Sequence, residues 1–299
     1  MTPGAGSLAS RRPVVVVGDV GIDVLTRPRT PIVPGGESPS DIALVPGGAG
    51  GNTAAWLVRH GVDAALVARI GDDQAGTAAR GALERLGVRC IFAVDQTLPT
   101  CVVVVLVDDA GERTMLSDRG ANKAFGVADV DLDAAALGPA HLHLSGYVLF
   151  DPSSRDAGLA ALAGAQERGW TTSVDPQAAE LVTAVGAEAF LGWVDGVDLL
   201  LPNEVEIEAL GGTEAVLAHV GIVAVTYGAG GARWFTAASS HDEHVEAPAI
   251  TCIDSTGAGD AFNAGLLASW LGGALPAAAL AAGVSAGSTA AADVGARPA

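Results

Sequence analysis

The sequence predicts an α/β fold, with a mostly parallel sheet covered by helices on both faces. Three observations predict it. Short apolar runs alternate with longer segments of helical periodicity along nearly the whole chain. Runs such as Val14–Val17 are apolar at every position, as strands buried on both faces are. Finally, the 299 residues are 49% hydrophobic and only 17% charged, which is enough apolar material for a large core. Aromatic residues make up 4%, so that core has to be built from Ala, Val and Leu.

The elements follow in order. Residues 1–12 form a Gly/Ser/Arg tail that is expected to be disordered, leaving 13–299 as one domain. Val14–Val17 is the first strand, and Asn52–His60 is a helix leading to strand Ala64–Ile70. Helix Gln74–Leu86 and strand Cys90–Val94 come next. Strand His141–Ser145, helix Ser154–Arg168, strand Thr171–Val174 and strand Val197–Leu201 continue the alternation. Strand Ile222–Thr226 and helices starting near Ala258 and Pro276 close the chain. Two segments interrupt this rhythm. Residues 30–46 are rich in Pro and Gly. Residues 100–117 read as a hairpin of Cys101–Val107 and Arg113–Ser117 about a turn at Asp108-Asp109-Ala110-Gly111.

Composition excludes several functions. A formal charge of −18 argues against nucleic acid or an anionic membrane surface as partner. The single lysine, Lys123, rules out the lysine-bearing phosphate loop, so any phosphate must be held by backbone amides, arginine or metal. Cys90, Cys101 and Cys252 form no Cys-x-x-Cys pair and read as reduced thiols of a cytoplasmic protein. No apolar stretch reaches the length of a membrane span.

The most informative stretch is Asp254-Ser255-Thr256-Gly257-Ala258-Gly259-Asp260, which runs into a helix marked by Phe262, Leu266 and Trp270. Glycine-rich backbone at a helix N-terminus presents free N–H groups to an anion, and the helix dipole favours it. Asp260 in the first turn puts a carboxylate beside that cradle, which is where a kinase needs a base. An acid in a first turn also simply complements the dipole.

This stretch resembles the second motif of the ribokinase-like (phosphofructokinase-B) kinases, Asp-Thr-x-Gly-Ala-Gly-Asp, with Ser255 for the usual Thr. Gly47-Gly48-Ala49-Gly50-Gly51-Asn52-Thr53-Ala54 resembles their first motif, followed at the family spacing by Gly61 and Gly71. The resemblance covers about Val14 to Ala296. It implies a three-layer ribokinase-like sandwich with a small β-sheet lid from segments 30–46 and 100–117, where the pattern alone would also allow an ordinary edge hairpin of the main sheet. The exposed edges of such a lid call for a second subunit to cover them, so a homodimer joined through the lids is expected. The resemblance also implies Asp260 as general base, with Gly257, Ala258 and Gly259 forming the anion hole.

The same resemblance places the acceptor at Asp23, Gly47, Gly48 and Asn52. Arg119 either reaches an anionic group on the substrate or sits on the surface. Asn203 and Glu206 match an Asn-x-x-Glu motif that places hydrated Mg²⁺ beside ATP, although the pair also reads as a helix capping box. Thr226, Gly228 and Gly231 resemble the nucleotide-side turn, and Asp254 and Thr256 the loops that hold a monovalent cation such as K⁺. The sugar-kinase pattern Asp-x-Asn-x-Arg is absent, since Asp175-Pro176-Gln177-Ala178-Ala179 lacks both the Asn and the Arg.

The expectation is therefore an ATP- and Mg²⁺-dependent kinase for a hydroxymethyl group of a sugar or sugar-like molecule. A nucleoside kinase, with Tyr147 or Trp56 stacking on the base, and a catalytically silent sugar sensor are the rivals. A dinucleotide-binding oxidoreductase is a poorer fit, because no Gly-x-Gly-x-x-Gly follows Val14–Val17.

Overall fold

The computed structural model describes residues 12–108, 113–238 and 242–298. The expected tail therefore lies outside the described residues except for Arg12, as does most of the turn at 108–111. The strands are β1 (Val14–Val17), β2 (Gly21–Pro28), β3 (Ser40–Gly47), β4 (Ala64–Gly71), β5 (Arg89–Asp95), β6 (Cys101–Val107) and β7 (Arg113–Asp118). They continue as β8 (His141–Ser145), β9 (Thr171–Asp175), β10 (Leu199–Leu200), β11 (Ile222–Thr226), β12 (Ala232–Thr236) and β13 (Glu243–Val245). The α-helices are α1 (Ala49–Arg59), α2 (Gln74–Leu86), α3 (Leu132–Ala135), α4 (Tyr147–Phe150) and α5 (Arg155–Glu167). After them come α6 (Ala179–Val185), α7 (Ala187–Trp193), α8 (Glu204–Ala209), α9 (Thr213–Leu217), α10 (Ala258–Trp270) and α11 (Pro276–Ala291).

Nine strands form the main sheet in the order β13-β12-β11-β10-β9-β8-β1-β4-β5. All neighbours are parallel except the β11–β12 and β12–β13 pairs at one edge. β1 alternates sides. Val15 and Val17 join a core with α5 and α7, while Val14 and Val16 join a second core with α1, α10 and α11. Two apolar faces on one central strand require two helical layers, which is why every position of Val14–Val17 is valine. The layers are thin because alanines line the contacts: Ala157, Ala161 and Ala165 on α5, and Ala261, Ala264 and Ala268 on α10, are all buried.

The second sheet has the order β3-β2-β6-β7, with β2 and β6 parallel and both edges antiparallel. Its hairpin β6–β7 falls where the sequence placed it. The other half differs: the strands are Gly21–Pro28 and Ser40–Gly47, so the sheet starts nine residues before the Pro/Gly-rich segment, which supplies β3 and the connection. The periodicity over 21–28 is blurred because the side chains of Asp23, Thr26 and Arg27 interrupt the apolar run. Val197–Leu201 shortens to Leu199–Leu200, and helix α1 starts at Ala49 rather than Asn52.

Candidate active site

The C-terminal ends of the central parallel strands open on one edge, where ligands of such sheets sit. Four segments converge there: the turn after β1, the Gly47–Asn52 start of α1, the α8 start at Asn203, and the α10 start at Gly257.

Gly257 caps α10 in the left-handed conformation, with φ 73°. A Cβ there would lie 2.6 Å from the Ala296 carbonyl, so both the angle and the crowding require glycine. This bend aims the first-turn amides outward, with open space above Gly259. The amide of Ala258 is engaged, donating to Ser255 O at 3.2 Å, so the expected three-amide cradle has one member turned inward.

Asp260 is 7% exposed. Asn52 Nδ2 donates to its Oδ2 at 2.9 Å, and Thr53 Oγ1 reaches its Oδ1 at 3.5 Å. Burial pushes its pKa up to about 7, with the charges of Asp175 and Asp19 adding to the rise and the bond from Asn52 opposing it. An aspartate in water is ionised at neutrality. In the ligand-free protein Asp260 titrates there instead.

Asp260 also lines a cleft of about 170 Å³ together with Asp175, Asn203, Glu206, Thr226 and Gly257. Asp175 is enclosed and takes a 2.6 Å bond from Asn263 Nδ2. Burial and the charge of Glu206 raise its pKa to about 8. The following residue but one, Gln177, holds φ 71°, a strained value for a side-chain-bearing residue, and the sequence reading did not single it out.

Asn203 and Glu206 form the capping box of α8. Asn203 N and Nδ2 donate to the two Glu206 oxygens at 2.9 and 2.7 Å, and Glu206 N donates back to Asn203 Oδ1. Both carboxylate oxygens are thus occupied, and Glu206 is 3% exposed. This donor set fits a metal held through water rather than a direct ligand. Thr226 bridges to Asn203, and Gly228 and Gly231 follow it in the turn between β11 and β12. Beyond that turn lies a groove of about 470 Å³, mostly apolar, lined by Val245, Pro248, Ile250, Val284, Ser285 and Ser288. No motif marked it in the sequence, because it forms only where the segment after β13 crosses α11.

Asp23 stands on β2 opposite Val45, and its carboxylate lies over Gly47, where any Cβ would collide with it. Burial and the nearby Asp19 raise its pKa to about 6, while Arg297 pulls the other way. Gly48 caps α1. Asp19 itself accepts from the amides of Ala49 and Gly50 at the start of α1. Arg119 donates from Nη1 to Tyr147 O at 2.9 Å, at the junction of the small sheet with the main body.

Asn52, expected among the acceptor contacts, instead bridges Asp260 and Arg297, whose Nε donates to Asn52 Oδ1 at 3.0 Å. Sequence reasoning missed Arg297; only its position after the Gly295-Ala296 segment hinted at it. Trp56 is buried, donates to Ala296 O at 3.0 Å and does not line the cleft at Asp260, whereas Tyr147 is half-buried. Asp254 accepts the amides of Thr256 and Gly295, tying the α10 loop to the C-terminal loop.

Residues 11–299 match the profile of the pfkB family carbohydrate kinases. The chain is 34% identical over 269 residues to an ATP-dependent ribose-1-phosphate kinase of Halopiger xanaduensis, covering 86% of this chain and 84% of that one. It is 30% identical to a fructokinase of Vibrio alginolyticus, covering 85% and 83%. Among solved structures, the adenosine kinase of Sinorhizobium meliloti superposes with a TM-score of 0.86 at 24% identity, covering 96% of each chain. A putative ribokinase II from E. coli in complex with ATP and Mg²⁺ gives 0.84 at 23%, covering 95% and 94%. At those identities the two structures share the fold.

Proposed function

This chain belongs to the pfkB family of carbohydrate kinases, and from that premise we propose that it moves the γ-phosphoryl group of ATP to a hydroxymethyl group of a sugar, with Asp260 as the base. The observation that carries the reading is the placement of Asp260. It lies between the amides of the α10 start and the Asn52 end of the glycine loop, so one carboxylate borders both the phosphate cradle and the acceptor. The acceptor hydroxyl gives its proton to Asp260 as its oxygen bonds to the γ-phosphorus. The bond from phosphorus to the β–γ bridging oxygen breaks, and that electron pair leaves with ADP.

Each half-site has its own work. Gly257, Gly259 and the α10 dipole hold the transferring oxygens, and Ala258 would have to release its bond to Ser255 to join them. Mg²⁺ accompanying the nucleotide neutralises phosphate charge when bound, and Asn203 with Glu206 would order its water shell. The turn of Thr226, Gly228 and Gly231 carries the nucleotide phosphates and ribose, and the apolar groove beyond it takes the base. A monovalent cation at Asp254 and Thr256 would rest on loop carbonyls, with Asp254 fixing the loop rather than ligating. Asp23 and the backbone of Gly47 and Gly48 hold the acceptor hydroxyls, and the small sheet acts as a lid over them. The free thiols suit a cytoplasmic enzyme.

One observation narrows the acceptor. Arg119 is half-buried at the rim and bonds a backbone carbonyl, which leaves donors for an anionic group on the substrate. A sugar carrying a phosphate or carboxylate away from the reacting hydroxymethyl group fits that arginine. The burial of Trp56 weighs against a nucleoside, and the intact Asp260 against a silent sensor. The test is an ATP-consumption assay across neutral sugars, sugar phosphates, sugar acids and nucleosides. Turnover is expected with sugars and highest with an anionic one. Turnover confined to nucleosides, or none above the rate without acceptor, would overturn the reading.

A further inference from the structure

Arg297 follows the last helix, and its guanidinium is turned into the protein between the acceptor loop and the base. Nε donates to Asn52 Oδ1 at 3.0 Å and Nη2 to Gly47 O at 2.7 Å. Nη1 is shut off from solvent with no hydrogen-bond partner among the described residues. The residue as a whole is only half-buried, but its charged tip is enclosed, and that lowers its pKa to about 10. An enclosed arginine that makes no ion pair among the described residues is expensive, and something in the site has to justify it.

The justification lies one residue further on. A carboxamide has a donor end and an acceptor end of almost the same shape, and nothing intrinsic fixes which way it points. Asn52 stands between a guanidinium, which only donates, and the Asp260 carboxylate, which only accepts when ionised. One orientation satisfies both neighbours, and the flipped one sets oxygen against oxygen and nitrogen against nitrogen. Arg297 thus determines that Asn52 offers its N–H to Asp260. The loop bearing Arg297 is itself held, by Trp56 Nε1 on Ala296 O and by Asp254 on the Gly295 amide.

We propose that Arg297 is a positioning residue for the transfer. It orients Asn52 so that Asp260 keeps its hydrogen bond and its aim, and it anchors the Gly47 carbonyl beside the acceptor. The proposal rests on Asp260 being the base. Its electrostatics agree. The groups acting on Asp260 are Asp175, Asp19, Asn52 and Gln177, with Arg297 as its favourable cation. Those acting on Arg297 are Asp23, Asp260, Asp19 and Cys90.

The variants are Arg297→Met, Arg297→Lys, Asn52→Ala and the Arg297→Met/Asn52→Ala double, measured beside Asp260→Asn. Arg297→Met should lower kcat on the order of 10- to 100-fold, with acceptor KM changed far less, the size expected for a misplaced reacting group. The acid limb of kcat/KM should move to higher pH, because a cation favouring the ionised base is gone. Arg297→Lys should recover part of both, and Arg297→Met should cost under about twofold more once Asn52 is alanine. Additive costs, or a folded Arg297→Met enzyme with unchanged kcat and pH limb, would make Arg297 a structural staple and overturn the proposal. Should Arg297→Met fail to fold, Arg297→Gln, which keeps an N–H for Asn52 but drops the charge, decides instead: its acid limb should still move to higher pH, and an unmoved limb would overturn the proposal. Activity persisting in Asp260→Asn would instead remove the base, and the positioning role with it.

Discussion

Asp260 derives its chemistry from its surroundings. In water its carboxyl would be ionised throughout the neutral range, but burial among Asp175 and Asp19 raises it to about 7, and Asn52 restrains the rise. A base poised near the working pH combines availability with driving force. The ligand-free enzyme should therefore show an acid limb in kcat/KM near pH 7. Asp260→Asn should cost about 10²–10⁴ in kcat while ATP and acceptor bind within a few-fold of the unaltered protein. Steady-state kinetics with calorimetric binding checks both, and a variant keeping a tenth of kcat would sink the assignment. The place of Asp260 in the first turn of α10 was legible in the sequence, because glycines and an acid at a helix start are local features. Arg297 was not. Its partners are Asn52 and Gly47, and nothing in a linear pattern says that a residue near 297 meets one near 50.

At the scale of elements, regular repetition decided what could be read. Strands buried on both faces announce themselves as apolar runs, so β1 and β11 were found at their observed bounds, and β8 was found as well although histidine alternates with leucine along it. Helices α2, α10 and α11 carried clear ends: Asp73 as cap and Gly87 as stop, the glycines before α10, and Pro276 opening α11. The small sheet was legible only in part, because a sheet with one face toward the rest of the protein and the other toward solvent mixes its residue types. That outer face exposes apolar side chains to solvent. Leu44, Val24, Val104 and Leu116 fall in one cross-strand row, with Leu44 72% and Leu116 57% exposed, and Ile42 two residues away is 64% exposed. A second copy of the same sheet would cover it. Sedimentation should show a dimer that Leu44→Glu converts to monomer, and acceptor binding should slow hydrogen exchange in β6 and β7 while β1 and β8 stay unchanged. A monomer at all concentrations, or no protection on saturation with both substrates, would leave the sheet a static appendage.

The whole molecule stores several carboxyl groups in places that disfavour their charge. Burial raises Asp23 to about 6, Asp260 to about 7 and Asp175 to about 8. Each is raised above its unfolded value, so the folded state holds protons that the unfolded chain has released. The stabilisation is present below about pH 4 and is lost as pH climbs through 6 to 8. Buried His141 and His143, both with lowered pKa, act in the opposite sense below about 6.5 and flatten the curve there. The melting temperature of the ligand-free protein should therefore fall between about pH 6.5 and 8.5. Scanning calorimetry over that range checks it, and a constant or rising Tm would contradict it. The place of β1 in the sheet has a consequence for how the protein is made. Its four valines are covered on one side by β4 and on the other by β8, which lies far along the chain. A ribosome therefore exposes β1 and has to add more than a hundred further residues before its second neighbour, His141 opposite Val14, emerges. Until then the nascent chain carries an open strand edge in water, so its yield in a cell depends on translation speed and on whatever shields that edge in the meantime.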